Sequence, residues 1–346
     1  MKTIIHRFLF VLNSIFAFTL LLSYLLPYIS PRSFPLISLL SLTVSPLILL
    51  NILFLIYWLL VLNKKFLVSL IALLLGFSHV TSLYRFNFFT NTTTTDHENV
   101  LSLMSYNVLS FNRFFSIDSQ TVPEDISKLV QKKNPDIICM QEFREGMETD
   151  FVQFPYKFLK YNDRKKTIAL TIHSKYPIIN KGSFSFEHTA NNIIYADIVV
   201  KSDTIRVYNL HLQSHQITSE IKDLNSTNSK KVIKNIRYSF KRQQDQTEEL
   251  VSHLKQTPYP AIIMGDFNNT AFSYIYNQII SEGFIDAFKE AGSGFGKTFK
   301  FDLFPARIDF ILVPEHSRIL SFSTLTEYFS DHFPIYAEIT LHSSKR

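Results

Sequence analysis

Hydrophobic positions fall along this chain in two textures. Up to Phe89 they form nearly continuous runs, and residues 8–28, 36–62 and 66–84 contain no Lys, Arg, Asp or Glu. Each run is near the roughly 20 residues that cross a bilayer core as a helix, so the pattern predicts three membrane-spanning helices. Asn13, Asn51 and His79 interrupt the runs. Such polar side chains are tolerated where spanning helices pack on one another. The first run is longer than the apolar stretch of a cleavable signal peptide, and two more follow it. The third is the weakest, because residues 78–82 are only mildly apolar.

After position 100 the runs shorten and alternate. Apolar, β-branched or aromatic stretches bounded by turn formers predict strands at 101–108, 137–141, 168–173, 195–200, 204–212, 261–265, 308–313 and 335–340. Helical periodicity covers 124–133, 241–255 and 272–282. Many strands with few scattered helices predict an α/β (α+β) domain of two packed sheets with helices outside. The expected organisation is a membrane region at 1–89, a polar linker at 90–99 with a threonine run, and an α/β domain at 100–346. A polar insertion at 214–246 carries seven basic residues against three acidic ones. That run reads either as a solvated face or as an anion-binding arm.

Charge sharpens the division. The net charge of +6 belongs to the first region, which has six basic residues and no carboxylate before Asp96. The remainder balances 29 basic against 29 acidic residues, so overall charge does not call for a nucleic-acid partner. A single cysteine, Cys139, excludes an internal disulfide and a multi-cysteine zinc site, and its apolar neighbours make it a small buried hydrophobe.

The chemistry lies at the strand ends. Apolar strands finish in Asn107, in Gln141-Glu142, in Asn209-Leu210-His211 and in Gly265-Asp266-Phe267-Asn268, while Asp309 sits within a strand and Asp331-His332 just before one. Taken singly, Asn107 could be a turn former, His211 a satisfied core histidine and Asp309 an ion-pair partner. Converging at one sheet edge, they form an oxygen-rich cluster with few nitrogens. Such a donor set suits Mg²⁺ or Mn²⁺ and not zinc. It fits metal-assisted attack of water on a phosphoester.

Together the segments SYNV (105–108), QE (141–142), NLHL (209–212), GDFN (265–268), RIDFI (307–311) and SDH (330–332) resemble the motifs of the endonuclease/exonuclease/phosphatase superfamily, which has the DNase I-like fold. The resemblance covers about 101–340. It implies a four-layer α/β sandwich and metal-dependent phosphoester cleavage. On that resemblance Glu142 is the principal Mg²⁺ ligand, with Asn107 beside it and Asp331 completing the surroundings. Asp266 orients and deprotonates the attacking water, and Asn268 holds phosphate and nucleophile. His332, paired with Asp309, stabilises phosphoryl charge or transfers a proton, and Asn209 and His211 contact the phosphate. Where many relatives have Ser-Arg-Tyr-Pro, this chain has Ser174-Lys175-Tyr176-Pro177, which loses the bidentate guanidinium.

The reading that follows is a multi-pass, membrane-anchored, Mg²⁺-dependent phosphoester hydrolase, with the lipid bilayer and a phosphoester as its partners. Tethering and neutral charge lean toward a lipid-like or small substrate. The basic insertion keeps open a membrane-bound nuclease acting on nucleic acid. An idle interaction module is the third alternative, opposed by the intact residue set. Lys2, Arg7, Lys64 and Lys65 fall on one side of three spans and Arg32 and Arg85 on the other. That bias places the catalytic domain outside the cytoplasm.

Overall fold

The computed structural model describes residues 2–86, 100–112, 117, 119–147, 151–161, 166–187, 189–215, 226–301 and 303–341. The expected linker at 90–99, and Lys222 with the rest of 216–225, lie outside the described residues. The amino-terminal part folds as helices α1 (Lys2–Ser23), α2 (Val44–Leu60), α3 (Phe66–Leu75) and α4 (Phe77–Leu83). Two helical stretches, Thr3–Tyr28 and Ile37–Leu60, are long and apolar enough to cross a membrane. The expected third span is not one straight helix, because α3 and α4 meet at 81°. The bend falls at Gly76, against which the Tyr24 side chain packs. A Cβ at Gly76 would lie 1.9 Å from that ring, and the Tyr24 hydroxyl donates to Ala72 O at 2.9 Å. Polar groups inside the bundle satisfy each other. Trp58 Nε1 donates to Asn13 Oδ1, Asn13 Nδ2 to Ser69 Oγ, and Ser69 Oγ to Asn51 Oδ1.

Among the described residues, twelve strands then form two six-stranded mixed sheets. The first holds β1 (Val100–Asn107), β2 (Ile137–Phe143), β3 (Tyr156–Tyr161), β4 (Ala169–Ser174), β11 (Arg318–Thr324) and β12 (Ile335–Thr340), ordered β11-β12-β1-β2-β4-β3. The second holds β5 (Ile178–Ser183), β6 (Ile193–Val200), β7 (Asp203–His211), β8 (Ala261–Asp266), β9 (Phe284–Asp286) and β10 (Asp309–Pro314), ordered β5-β6-β7-β8-β10-β9. Helix α5 (Val122–Lys133) covers the first sheet. Helices α6 (Ser226–Leu254) and α7 (Tyr274–Ile280) cover the second, and a short α8 (Ala287–Ala291) follows β9. The expected four-layer sandwich is therefore present. Helix α6 starts well before the expected 241, so much of the basic insertion is helix, with Lys230, Lys234, Arg237 and Lys241 exposed.

The strand period of two explains where the polar ends go. On β1 the inward face reads Leu101, Leu103, Ser105, Asn107; on β7 it reads Ile205, Val207, Asn209, His211; on β8 it reads Ile262, Met264, Asp266. Each series is apolar through the core between the sheets, where Cys139 is also fully buried, and turns polar at one end. Strands β7 and β8 run parallel with His211 opposite Asp266, while β10 runs antiparallel and sets Asp309 opposite Asp266. That register needs Gly265, whose φ is +139° and whose Cβ would lie 2.0 Å from Leu210 O. Gly265→Ala is expected to destabilise the folded chain by about 4 kcal/mol or more, the range of a backbone clash with no room to relax. Thermal unfolding checks this, and an unchanged midpoint would refute it.

The sandwich is seated on the amino-terminal helices through the loop after β8 and through α6. Phe272, buried, joins the apolar cluster of Leu20, Leu47, Ile48 and Leu73, and its ring stacks on His79 at 5.6 Å. Burying one phenylalanine contributes about 1.5–3 kcal/mol. Ser41 Oγ donates to Asn269 Oδ1 at 2.9 Å, and Thr270 Oγ1 donates to Ser41 O at 2.8 Å. Arg32 pairs with Asp245 and Glu248, each at 2.7 Å.

Candidate active site

The polar strand ends meet at the shared edge of the two sheets. Asp266, buried at the end of β8, is the centre. Its Oδ2 accepts from Asn107 Nδ2 at 3.1 Å and from Asn268 Nδ2 at 3.3 Å, while Oδ1 accepts from Asn268 N at 2.7 Å. The same Oδ2 lies 3.6 Å from His211 Nε2 and 3.7 Å from His332 Nε2. His332 Nδ1 is 2.9 Å from Asp309 Oδ2. Glu142 Oε1 stands 3.5 Å from Asn107 Nδ2 and 3.9 Å from His211 Nε2.

Local backbone features aim these groups. Glu142 takes φ +51° where the β2–β4 register shifts between Met140 and Phe143. This bulge redirects its side chain out of the pleat. Asn268 takes φ +49°, and its Nδ2 also donates to Leu212 O at 2.9 Å. Beyond Asn107, Leu109, Ser110, Phe111 and Asn112 all have positive φ, a left-handed turn whose Leu109 N–H donates to Asn107 Oδ1. Two residues given no role from the sequence, Thr298 and the first residue of the SDH segment, complete the frame. The buried Thr298 hydroxyl accepts from the backbone N–H groups of Ile308 and Asp309, and Ser330 Oγ donates to Asn107 O and accepts from His332 N. Threonine and serine in polar loops carry no signal of their own.

Electrostatics divide the imidazoles. Burial alone lowers the pKa of His332, but the charges of Asp309, Asp266 and Asp331 outweigh it and hold the ring protonated. His211 is pushed down to about 3 by burial and by the neighbouring His332 charge, so it is neutral. Burial raises both Glu142 and Asp266, in each case against the favourable charge of His332. These are carboxylates whose charge lacks compensation.

A divalent cation would supply that compensation. Asp266, Asp309 and His332 offer ligand atoms that all lie within 4.8 Å of one another, and Asp309 Oδ1 is buried without a partner. Glu142, 3.9 Å from His211 Nε2, adds a third carboxylate. The donor set is mostly hard oxygen, so these residues fit Mg²⁺ or Mn²⁺.

The structure brings together Asn107, Glu142, His211, Asp266, Asn268, Asp309 and His332, with Asp331 adjacent and its backbone carbonyl accepting from Lys300 N. It does not bring Asn209 to the cleft. That amide is fully buried one pleat deeper, donating to Met140 O and Thr171 O and accepting from Gln141 Nε2, so it fastens one sheet to the other. Ser174 and Lys175 lie at the opposite end, because β4 is antiparallel to β2 and Ser174 pairs with Ile137. Lys175 there binds Asn134 O and Asp136.

Residues 104–332 match the Endonuclease/Exonuclease/phosphatase family, and residues 6–83 match a family described as a domain of unknown function (DUF8431). Comparison with curated proteins finds no significant match. Among solved structures, an endonuclease/exonuclease/phosphatase from Bacteroides vulgatus is 19% identical with a TM-score of 0.56, covering 71% of this chain and 100% of its own. The mannosyl-6-phosphatase of Bacteroides thetaiotaomicron is 20% identical with a TM-score of 0.54, covering 70% and 100% respectively. Humanised D. rerio TDP2 is 16% identical with a TM-score of 0.51, covering 70% and 99%. These likenesses agree on the sandwich, and the family match spans the cleft from β1 to His332: the chain belongs to the endonuclease/exonuclease/phosphatase family.

Proposed function

We propose that this protein is a membrane-anchored, Mg²⁺-dependent phosphoester hydrolase in which residues 1–89 anchor and residues 100–346 catalyse. The observation that carries the reading is the convergence of Glu142, Asp266, Asp309 and Asn107 around the His211 and His332 imidazoles. Glu142, with Asn107 beside it and Asp331 nearby, would hold the cation, which when bound neutralises phosphoryl oxygens and lowers the pKa of water. Asp266, braced by Asn107 and Asn268, orients the attacking water and accepts its proton. His332, kept protonated by Asp309, donates to the phosphoryl group or the leaving oxygen. Neutral His211 and the Asn268 amide hold the phosphate. Asn209 acts at one remove, by fixing the two sheets that carry these groups.

Substrate class is tested by assaying the full chain in nanodiscs with Mg²⁺ on a chromogenic diester, a sugar phosphate, phospholipids and DNA. The mannosyl-6-phosphatase likeness places a phosphomonoester on that panel. A nuclease reading is favoured by one observation, the exposed face of Lys230, Lys234, Lys241 and Arg237 on α6, and DNA cleavage exceeding all else would select it. Turnover of none of the substrates would leave the interaction module.

Membrane anchoring is supported by the outer face of α1, where Ile4, Phe8, Val11, Ile15, Phe18 and Leu22 recur at helical spacing and are exposed. Orientation is supported by the helix ends. The His6 ring packs on Tyr57 and Trp58, and Lys65 lies over the Phe10 and Trp58 rings. The start of α1, the end of α2 and the start of α3 therefore share one end, with Arg7, Lys64 and Lys65. Helices α6 and α7 and the loops at Asn269, Gly294 and Arg307 touch the other end, at Pro27, Ser30, Arg32, Ser41, Ser82 and Arg85. The basic end belongs in the cytoplasm. A reporter that folds only outside the cytoplasm, fused after Arg346, is expected to be active. A dark reporter, with a cytoplasmic one active at the same position, would reverse the orientation.

A further inference from the structure

We propose that the segments 294–301 and 303–307 form an interfacial wall that rests in the bilayer surface and opens the catalytic cleft toward a membrane-borne phosphoester. This rests on the hydrolase reading above and deepens it to a substrate class. Both ends of the wall are tied to the last apolar helix. Gly294 and Arg85 exchange two backbone hydrogen bonds of 2.9 Å, and Arg307 Nη2 donates to Ser82 O at 3.3 Å. Its middle is tied to the reacting groups. Phe333 N donates to Thr298 O, Lys300 N donates to Asp331 O, and the Phe299 ring packs on the His332 ring at 5.0 Å. One stretch of chain thus runs from the end of the membrane helices to the side of the catalytic imidazole and back.

Its outward side chains are those of a membrane interface. Leu303 is 82% exposed and Phe295 is 40% exposed. Phe295 packs on Tyr84, which packs on the exposed Phe86, so the apolar surface continues from the helix end. The rings of Phe301 and Phe304 meet at 4.7 Å, both half-exposed. Lys297 and Lys300 lie over the rings of Phe333 and Tyr328. Lysine and aromatic side chains together suit the headgroup level, where stems and rings meet acyl chains and charges meet lipid phosphate. Continuity with α4 selects the bilayer as occupant over a second copy of the chain.

The test uses the full chain reconstituted in phosphatidylethanolamine/phosphatidylglycerol vesicles. The single native thiol, Cys139, is buried, so Leu303→Cys carries the label and Lys201→Cys, at the far end of β7 from His211, is the control. Brominated acyl chains are expected to quench a fluorophore at 303 and not at 201, with aqueous iodide doing the reverse. Leu303→Glu is expected to lower kcat/KM at least about fivefold on a vesicle-borne phosphoester, with no matching loss on a water-soluble diester. Iodide quenching at 303 equal to that at 201 overturns the proposal. So does shielding from both quenchers that grows with protein density, which would mark a second copy. Failure to hydrolyse either substrate sinks the hydrolase reading alone, because the quenching still locates the wall.

Discussion

Asp266→Asn is expected to lower kcat by at least about 10²-fold at saturating Mg²⁺, the scale of lost acid–base and electrostatic help. The exchange is nearly isosteric, yet it reverses the chemistry at this position. Asp266 accepts three hydrogen bonds from Asn107 and Asn268 and faces two imidazole Nε2 atoms. An amide there would turn a donor toward donors and remove the base. His332→Ala is expected to cost a similar factor, because it removes the protonated ring that Asp309 and Asp266 hold beside the cleft. Circular dichroism and the thermal midpoint separate this from unfolding. Near-normal turnover in either folded variant would refute the assignment.

Removal of divalent metal by EDTA is expected to abolish hydrolysis, and Mg²⁺ or Mn²⁺ to restore it. Burial raises the pKa of Glu142 and of Asp266, which is the situation a bound cation reverses. Glu142→Gln is expected to raise the Mg²⁺ concentration for half-maximal activity at least about tenfold, the range seen when a ligand set is weakened. Undiminished hydrolysis in chelator contradicts the metal. Restoration by zinc alone would move the ion to Asp266, Asp309 and His332, whose ligand atoms are also mutually within reach.

The eight strands read from the sequence are the interior ones, and the four missed are the sheet edges: β3, β5, β9 and β11. Interior strands are buried on both faces and read as apolar runs, whereas edge strands carry charge and polar groups that discourage pairing with other chains. Tyr156–Tyr161 has two lysines, and Ile178–Ser183 has Asn180, Lys181 and Gly182. The site was legible because its residues sit at strand ends, where a polar group after an apolar run stands out. Asn209 followed the same pattern and misled, since composition does not tell the last pleat from the one beneath it. Ser41 and Asn269 lie 228 residues apart, a separation across which one sequence carries no pairing signal.

An anchor that merely tethers an enzyme is interchangeable with any other apolar helix. Here Ser41 bonds the neighbour of Asn268, and Phe272, four positions beyond that catalytic amide, is a core residue of the helix bundle. Grafting this sandwich onto foreign helices would leave an aromatic ring in water and an asparagine short of one donor, both on the loop that follows Asp266. The two halves are therefore coupled: a substitution at Ser41 or His79 is expected to disturb the loop that follows Asp266.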